Sequence, residues 1–199
     1  MAMNPKAACQ RGFSLVELMV TISVMAILLA IALPSFRDVI HRNQVSTASN
    51  SLLASLDYAR TEAINRSQIV SMCPGSAAAG CTAAGVAFEP GWIVYTYPAG
   101  AASSNKPYVA GTSIMLRSTT AQAGVSIQSK NTEVITFGMQ GQLKSATASP
   151  KLVFVTCYRS GSTGTGSSTT AAPGVVLTVN GSGSVQSVAL AVGSTCVPP

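Results

Sequence analysis

The stretch GFSLVELMVTISVMAILLAIALPSF, Gly12–Phe36, decides how the rest of the chain is read. From Phe13 to Leu33 every residue is apolar or small except Glu17. At 1.5 Å of rise per residue, a helix over this run is roughly 30 Å long, enough to cross the hydrocarbon core of a bilayer. The run reads as a membrane helix, and Pro34 near its end removes one intrahelical hydrogen bond and invites a kink. Lys6 and Arg11 precede it, and positive charge stays on the cytoplasmic side, so the C-terminal body is expected to be exported. An ordinary secretory signal shares the basic start and apolar core, and Ala30-Ile31-Ala32 offers it a cleavage pattern. That alternative leaves the charge of Glu17 and the length of the run unexplained, since a signal core is about half as long.

A carboxylate inside a membrane helix costs about 2.5 to 3.5 kcal/mol on insertion scales and is there for a partner. Cutting the chain after Gly12 would supply one, because the new α-amine of Phe13 has an ordinary pKa of about 8 and stays largely protonated at neutral pH. A Phe13 ammonium and a Glu17 carboxylate would then neutralise each other between subunits. The order Gly12, Phe13, Ser14, Leu15, Val16, Glu17 resembles the type III signal of type IV pilins and pseudopilins, and Pro34 sits where pilin helices commonly carry a proline. The resemblance implies cleavage between Gly12 and Phe13 by a prepilin peptidase and N-methylation of Phe13.

The 199 residues suffice for one domain of ordinary size on a helical stalk. A composition that is 47% hydrophobic yet only 9% charged, filled out with Gly, Ser, Thr and Ala, suits an exposed β-rich module better than a cytosolic enzyme. The net charge of +6 is too modest to single out nucleic acid or an anionic surface as a partner. Cys9 belongs to the leader, which leaves Cys73, Cys81, Cys157 and Cys196, an even number in an exported body and therefore two disulfides. Three connectivities are open. The favoured one closes the short loop PGSAAAG with Cys73–Cys81 and ties the chain end to a strand with Cys157–Cys196. A zinc site would need reduced thiolates, and the single histidine, His41, lies on the stalk, so no metal and no cofactor are expected.

Beyond Pro34 the helix is predicted to continue, supported by the i, i+4 pairs Asp38 with Arg42 and Glu62 with Arg66. Val45, Ala48, Leu52, Leu56, Ala59 and Ala63 recur in steps of three and four, which places one small and apolar stripe on one face. Strand character takes over at about Gln68. The segment Leu56 to Cys73 resembles the GspH/FimT group of pseudopilins and minor pilins, in which an Ala-Arg-(Ser/Thr)-Glu-Ala stretch ends the helix and a strand leads to a cysteine. Strands are then predicted at Gly91–Tyr97, Ile114–Ser118, Val125–Gln128, Glu133–Phe137, Lys151–Tyr158, Val175–Val179 and Val185–Val192, where β-branched and aromatic residues are bounded by Gly, Pro, Ser and Asn. GWIVY, ITFGMQGQL and FVTCYR also resemble that group in order and spacing. The stretches before Tyr108 and from Ser160 to Pro173 read as mobile loops, the second too polar and Gly-rich to form a core.

Catalysis needs convergent acids, bases or nucleophiles, and beyond the stalk the carboxylates are Glu89 and Glu133, with no histidine. No enzyme is expected. Some FimT-like minor pilins bind DNA through a C-terminal Gly-Arg-x-Arg motif, and the matching hairpin here, Val175 to Leu190, has a turn signal at Asn180-Gly181 but no arginine. Weak contacts from Lys130, Lys144, Lys151 and Arg159 are what remain for a DNA-binding alternative.

The fold class is therefore α+β and type IV pilin-like. Residues 1–12 are expected as leader, 13–34 as the membrane and filament-core half of the helix, 35–67 as its amphipathic half, and 68–199 as an antiparallel β-rich periplasmic head. The resemblance implies a single-pass inner-membrane minor pilin at the tip of a filament, where it helps initiate assembly. Its partners would be the prepilin peptidase, the assembly platform, and other major and minor pilins. A type II secretion pseudopilin is the other alternative.

Overall fold

A computed structural model describes residues 12–82, 86–98, 105–130, 134–144 and 151–199. The leader residues Lys6, Cys9 and Arg11, together with Glu133 and most of the stretch before Asn105, lie outside the described residues. The chain divides into two compact units, Met1–Asp38 and Val39–Pro199.

One helix, α1 (Leu15–Arg66), runs from the first unit into the second. In the first unit its large apolar side chains, from Leu15 through Leu33, are all exposed. In the second unit the predicted stripe is the buried one: Val45, Ala48, Leu52, Leu56, Ala59 and Ala63 are each no more than 1% exposed. Small residues at 48, 59 and 63 let the sheets approach the helix axis, while Leu52 and Leu56 supply the apolar bulk. The helix stops because Ser67 takes up the left-handed conformation (φ 51°). The N–H groups of Ser67 and Gln68 then close back on the carbonyls of Ile64 and Ala63. Arg66 pairs with Glu62 in the last turn.

The head of the second unit holds ten strands: β1 (Val70–Ser76), β2 (Gly80–Cys81), β3 (Trp92–Thr96), β4 (Ile114–Thr119), β5 (Val125–Ser129), β6 (Ile135–Phe137), β7 (Leu143–Lys144), β8 (Lys151–Tyr158), β9 (Val175–Asn180) and β10 (Val185–Ala189). One sheet has the order β4-β3-β1-β6-β7, with β2 folded onto β1, and the other has the order β10-β9-β8-β5. Every described pairing is antiparallel. The period-2 alternation of side chains decides what each face buries. Trp92 and Val94 of β3 join Met72, Ile127, Phe154 and Leu177 against the helix stripe, while Ile93 and Tyr95 face the other way. Tyr95, Tyr97 and Tyr108 build a second, aromatic cluster on that outer face, where the Tyr95 hydroxyl donates to Lys106 O at 2.6 Å.

Two sequence expectations are overturned. Arg42 does not pair with Asp38; its guanidinium donates instead to the carbonyls of Ala171 (3.2 Å) and Thr170 (3.4 Å), acceptors 129 and 128 residues away. Those carbonyls belong to the Ser160–Pro173 segment, which is no free excursion. Ser168 and Ala172 are buried. The Ser168 hydroxyl accepts from Gly174 N–H at 3.0 Å and donates to Leu190 O at 3.2 Å, and Ser167 bridges both Tyr158 and Thr195. His41 stacks on Tyr158 with ring centroids 3.8 Å apart beside it. A polar, Gly-rich segment lacks apolar area to bury, but backbone and hydroxyl hydrogen bonds hold it equally well once partners from helix and sheet are in place.

Candidate functional site

The residues singled out for processing and assembly sit at the very start of the described chain. Gly12, Phe13 and Ser14 precede α1, the Phe13 ring is 79% exposed, and Glu17 falls in the first helical turn. That position gives the carboxylate a favourable field from the unsatisfied N–H groups of the helix end as well as proximity in sequence to Phe13. An 18-residue window of this helix has a mean hydropathy of 2.5, so it is long and apolar enough to cross a membrane. The helix is continuous through Pro34.

Four cysteines of the head are bonded as Cys73–Cys81 and Cys157–Cys196. The first closes the β1–β2 hairpin, and its Cys81 sulfur accepts from Tyr108 N–H at 3.0 Å, which ties the aromatic cluster to the same corner. The second joins β8 to the C-terminal segment, and both of its sulfurs are buried beside Val155.

The four cations considered for DNA do not form one group. Lys151 begins β8 opposite Asn180, Lys130 donates its backbone N–H to Val153 at the same end of that sheet, and Lys144 follows Leu143, whose N–H donates to Gly181 O. Lys151 and Lys144 therefore lie beside the β9–β10 turn, and Lys130 lies across β8 from it at the same end of the sheet. Arg159 lies at the other end of β8, where it is engaged within the head. Its guanidinium Nη1 lies 3.1 Å from a Glu89 carboxylate oxygen, with side-chain exposures of 14% and 11%, and it also donates to Gly164 O. A partly buried guanidinium already paired with a carboxylate has less to offer a phosphate than a free one.

Sequence reading missed Glu89 as a structural centre. Its carboxylate accepts from Ile127 N–H (3.1 Å), Gln128 Nε2 (3.4 Å) and Arg159. Its backbone carbonyl accepts from Gln122 N–H. One of only two acids beyond the stalk, Glu89 beside Glu133 in the count, was the available signal. Among the described residues no group of His, Cys, Asp and Glu side chains is placed to hold a metal ion. Burial pushes the Tyr95 phenol well above its ordinary value, and neighbouring Tyr97 adds to the shift.

A long N-terminal helix, apolar in its first part and packed against antiparallel sheets in its second, is the architecture of a pilin. The crystal structure of the type IV minor pilin FimU from Pseudomonas aeruginosa is similar with a TM-score of 0.52 at 21% identity, over 78% of this chain and 96% of that one. The model of the family described as type II transport protein GspH matches residues 48–195, and that of the prokaryotic N-terminal methylation motif matches residues 8–33. The chain belongs to the GspH family of minor pilins and pseudopilins, which are structural, non-enzymatic proteins. Among curated proteins, the fimbrial protein EcpC of Eikenella corrodens is 51% identical over 41 residues, 21% of this chain and 27% of its own length. A type IV major alpha-pilin of Moraxella bovis is 47% identical over 45 residues, 23% of this chain and 28% of its own length. The chain thus spans roughly a quarter of the length of these relatives.

Proposed function

We propose that this chain is made as a prepilin, cleaved after Gly12, methylated on Phe13 and held in the inner membrane with its head in the periplasm. From there it joins the tip complex of a type IV pilus and helps initiate filament assembly. One observation carries this reading: the head satisfies only the Val45–Ala63 stripe of α1, while every large apolar side chain from Leu15 to Leu33 is left exposed. A bilayer covers that surface before assembly, and the equivalent helices of neighbouring pilins cover it afterwards. Residues 13–34 serve as span and filament core, and residues 35–67 as the support for the head. Glu17 then supplies register. Its carboxylate meets the Phe13 ammonium of an adjacent subunit in a low-dielectric environment, where an unpaired charge is costly.

The test is Glu17→Ala. The variant is expected to insert in the membrane as well as the native chain, because it removes a charge from the span, and to be incorporated into sheared filaments at well under a tenth of the native amount. Normal incorporation would sink the charge-pairing role.

A further inference from the structure

Side chains of β8 alternate, so Leu152 and Phe154 pack toward α1 while Val155 and Cys157 lie on the opposite face of their sheet. The Cys157–Cys196 bond therefore sits on the side of the sheet away from the helix. Its neighbours nevertheless lead back to it. Gly174, the first residue after the Ser160–Pro173 segment, presses on the bond: a Cβ there would come 2.7 Å from Cys157 Sγ. The N–H of Gly174 donates to the Ser168 hydroxyl at 3.0 Å, and that hydroxyl donates to Leu190 O. From the chain leading to Cys196, Gly193 N–H donates to Ser168 O at 2.9 Å, and Thr195 bridges Ser167.

Ser168 opens a short turn in which Thr169 N–H donates to Ala172 O and Ala172 N–H to Thr169 Oγ1. The carbonyls at the tip of that turn, Thr170 and Ala171, are those that hold Arg42 of α1. His41, one residue before Arg42, stacks on Tyr158, one residue after Cys157. An unbroken path of bonded groups thus runs from the disulfide to one turn of the helix. The other disulfide belongs to the other sheet, where its neighbours are Tyr95 and Tyr108.

We propose that Cys157–Cys196 is a redox latch that fixes the Ser160–Pro173 strap on α1. Closing it needs a disulfide-bearing thiol oxidant: the two cysteine thiols give up two protons and two electrons as the S–S bond forms, and the oxidant's disulfide becomes a dithiol. Opening it by a dithiol runs the same exchange backwards. Cys157 and Cys196 are both fully buried, so an attacking thiolate reaches their bond only when the chain over it lifts. That chain is tied to the strap through Ser167 and Ser168, and the strap to Arg42. The coupling is reciprocal: a bond that steadies the hold on the helix is itself steadied by that hold.

Both tests use the full chain in detergent micelles, in a Cys9→Ser background. The first measures modification of Arg42 by phenylglyoxal, read by peptide mass spectrometry. Replacing Cys157 and Cys196 together by serine is expected to speed that modification about fivefold, and replacing Cys73 and Cys81 together to leave it unchanged. The second starts with both bonds closed and needs no cysteine variant of the head. The chain is equilibrated with dithiothreitol, and each reduced pair is counted by alkylation. Combining His41→Ala with Arg42→Gln is expected to raise the reduced-to-oxidised ratio of Cys157–Cys196 about fivefold while that of Cys73–Cys81 stays the same. Arg42 equally reactive with the Cys157–Cys196 bond present or absent would overturn the proposal. So would a helix variant that leaves that bond as hard to reduce as before, or one that loosens both bonds alike, which would mean general destabilisation instead of a latch.

Discussion

Replacing Glu89 by glutamine removes one charge from a site that has little water to compensate it. The Arg159 guanidinium would keep its bond to Gly164 O but lose its carboxylate, and its Nε already lacks a protein partner. Breaking a buried ion pair by removing one member costs about 3 to 5 kcal/mol. With side chains 14% and 11% exposed, water offsets part of that, and about 3 kcal/mol is the expected loss for a head of this size. The corresponding fall in melting temperature is about 6 to 12 °C. Arg159→Met should cost a similar amount, because it leaves the carboxylate beside Ile127 unneutralised. The double variant should cost about the same as either single one, since neither charge then remains buried alone. The assay is urea unfolding of the chain in lipid nanodiscs with disulfides intact, followed by fluorescence of Trp92, the sole tryptophan, which is fully buried in the head. Glu89→Gln within about 0.5 kcal/mol of the native chain, or a double variant whose loss is the sum of the single losses, would refute the reasoning.

The raised Tyr95 phenol makes stability fall at alkaline pH. The unfolded chain ionises this tyrosine near pH 10 while the folded one does not, so its contribution is full below about pH 10 and declines above it by about 1.4 kcal/mol per pH unit. Tyr95→Phe should flatten that part of a denaturation series run from pH 9 to 11, and an unchanged slope would exclude the effect. The two disulfides should differ in worth, because they close loops of different length, with sequence separations of 39 and 8. Removing Cys157–Cys196 should cost about 4 kcal/mol and removing Cys73–Cys81 about 2.6 kcal/mol by loop entropy, a ranking that urea midpoints of the Cys→Ser pairs would check.

The helix was legible because its signal is redundant. Twenty-one residues ahead of Pro34 that are apolar or small except for Glu17, and a strict three-and-four stripe from Val45 to Ala63, survive any local ambiguity. Strands β3, β8 and β9 were legible for the same reason, since β-branched and aromatic runs bounded by turn residues leave few alternatives. What pairs across long separations was not. Glu89 and Arg159 lie 70 residues apart, and Arg42 finds Ala171 at 129, contacts that exist only once helix and sheets are assembled. The Ser160–Pro173 segment misled because apolar content measures only one way of holding a chain in place. The phase of the β9–β10 hairpin was not legible either, because Gly183, and not Asn180-Gly181 where the turn signal stood, takes the left-handed conformation.

The most direct test of the filament role is mass spectrometry of the N-terminus of this chain in filaments sheared from cells that make it. The account predicts a mature chain present at a small fraction of the major subunit, beginning at Phe13 and carrying one N-methyl group. A chain absent from the filaments, or one found there with its leader uncut or cleaved after Ala32, would contradict it.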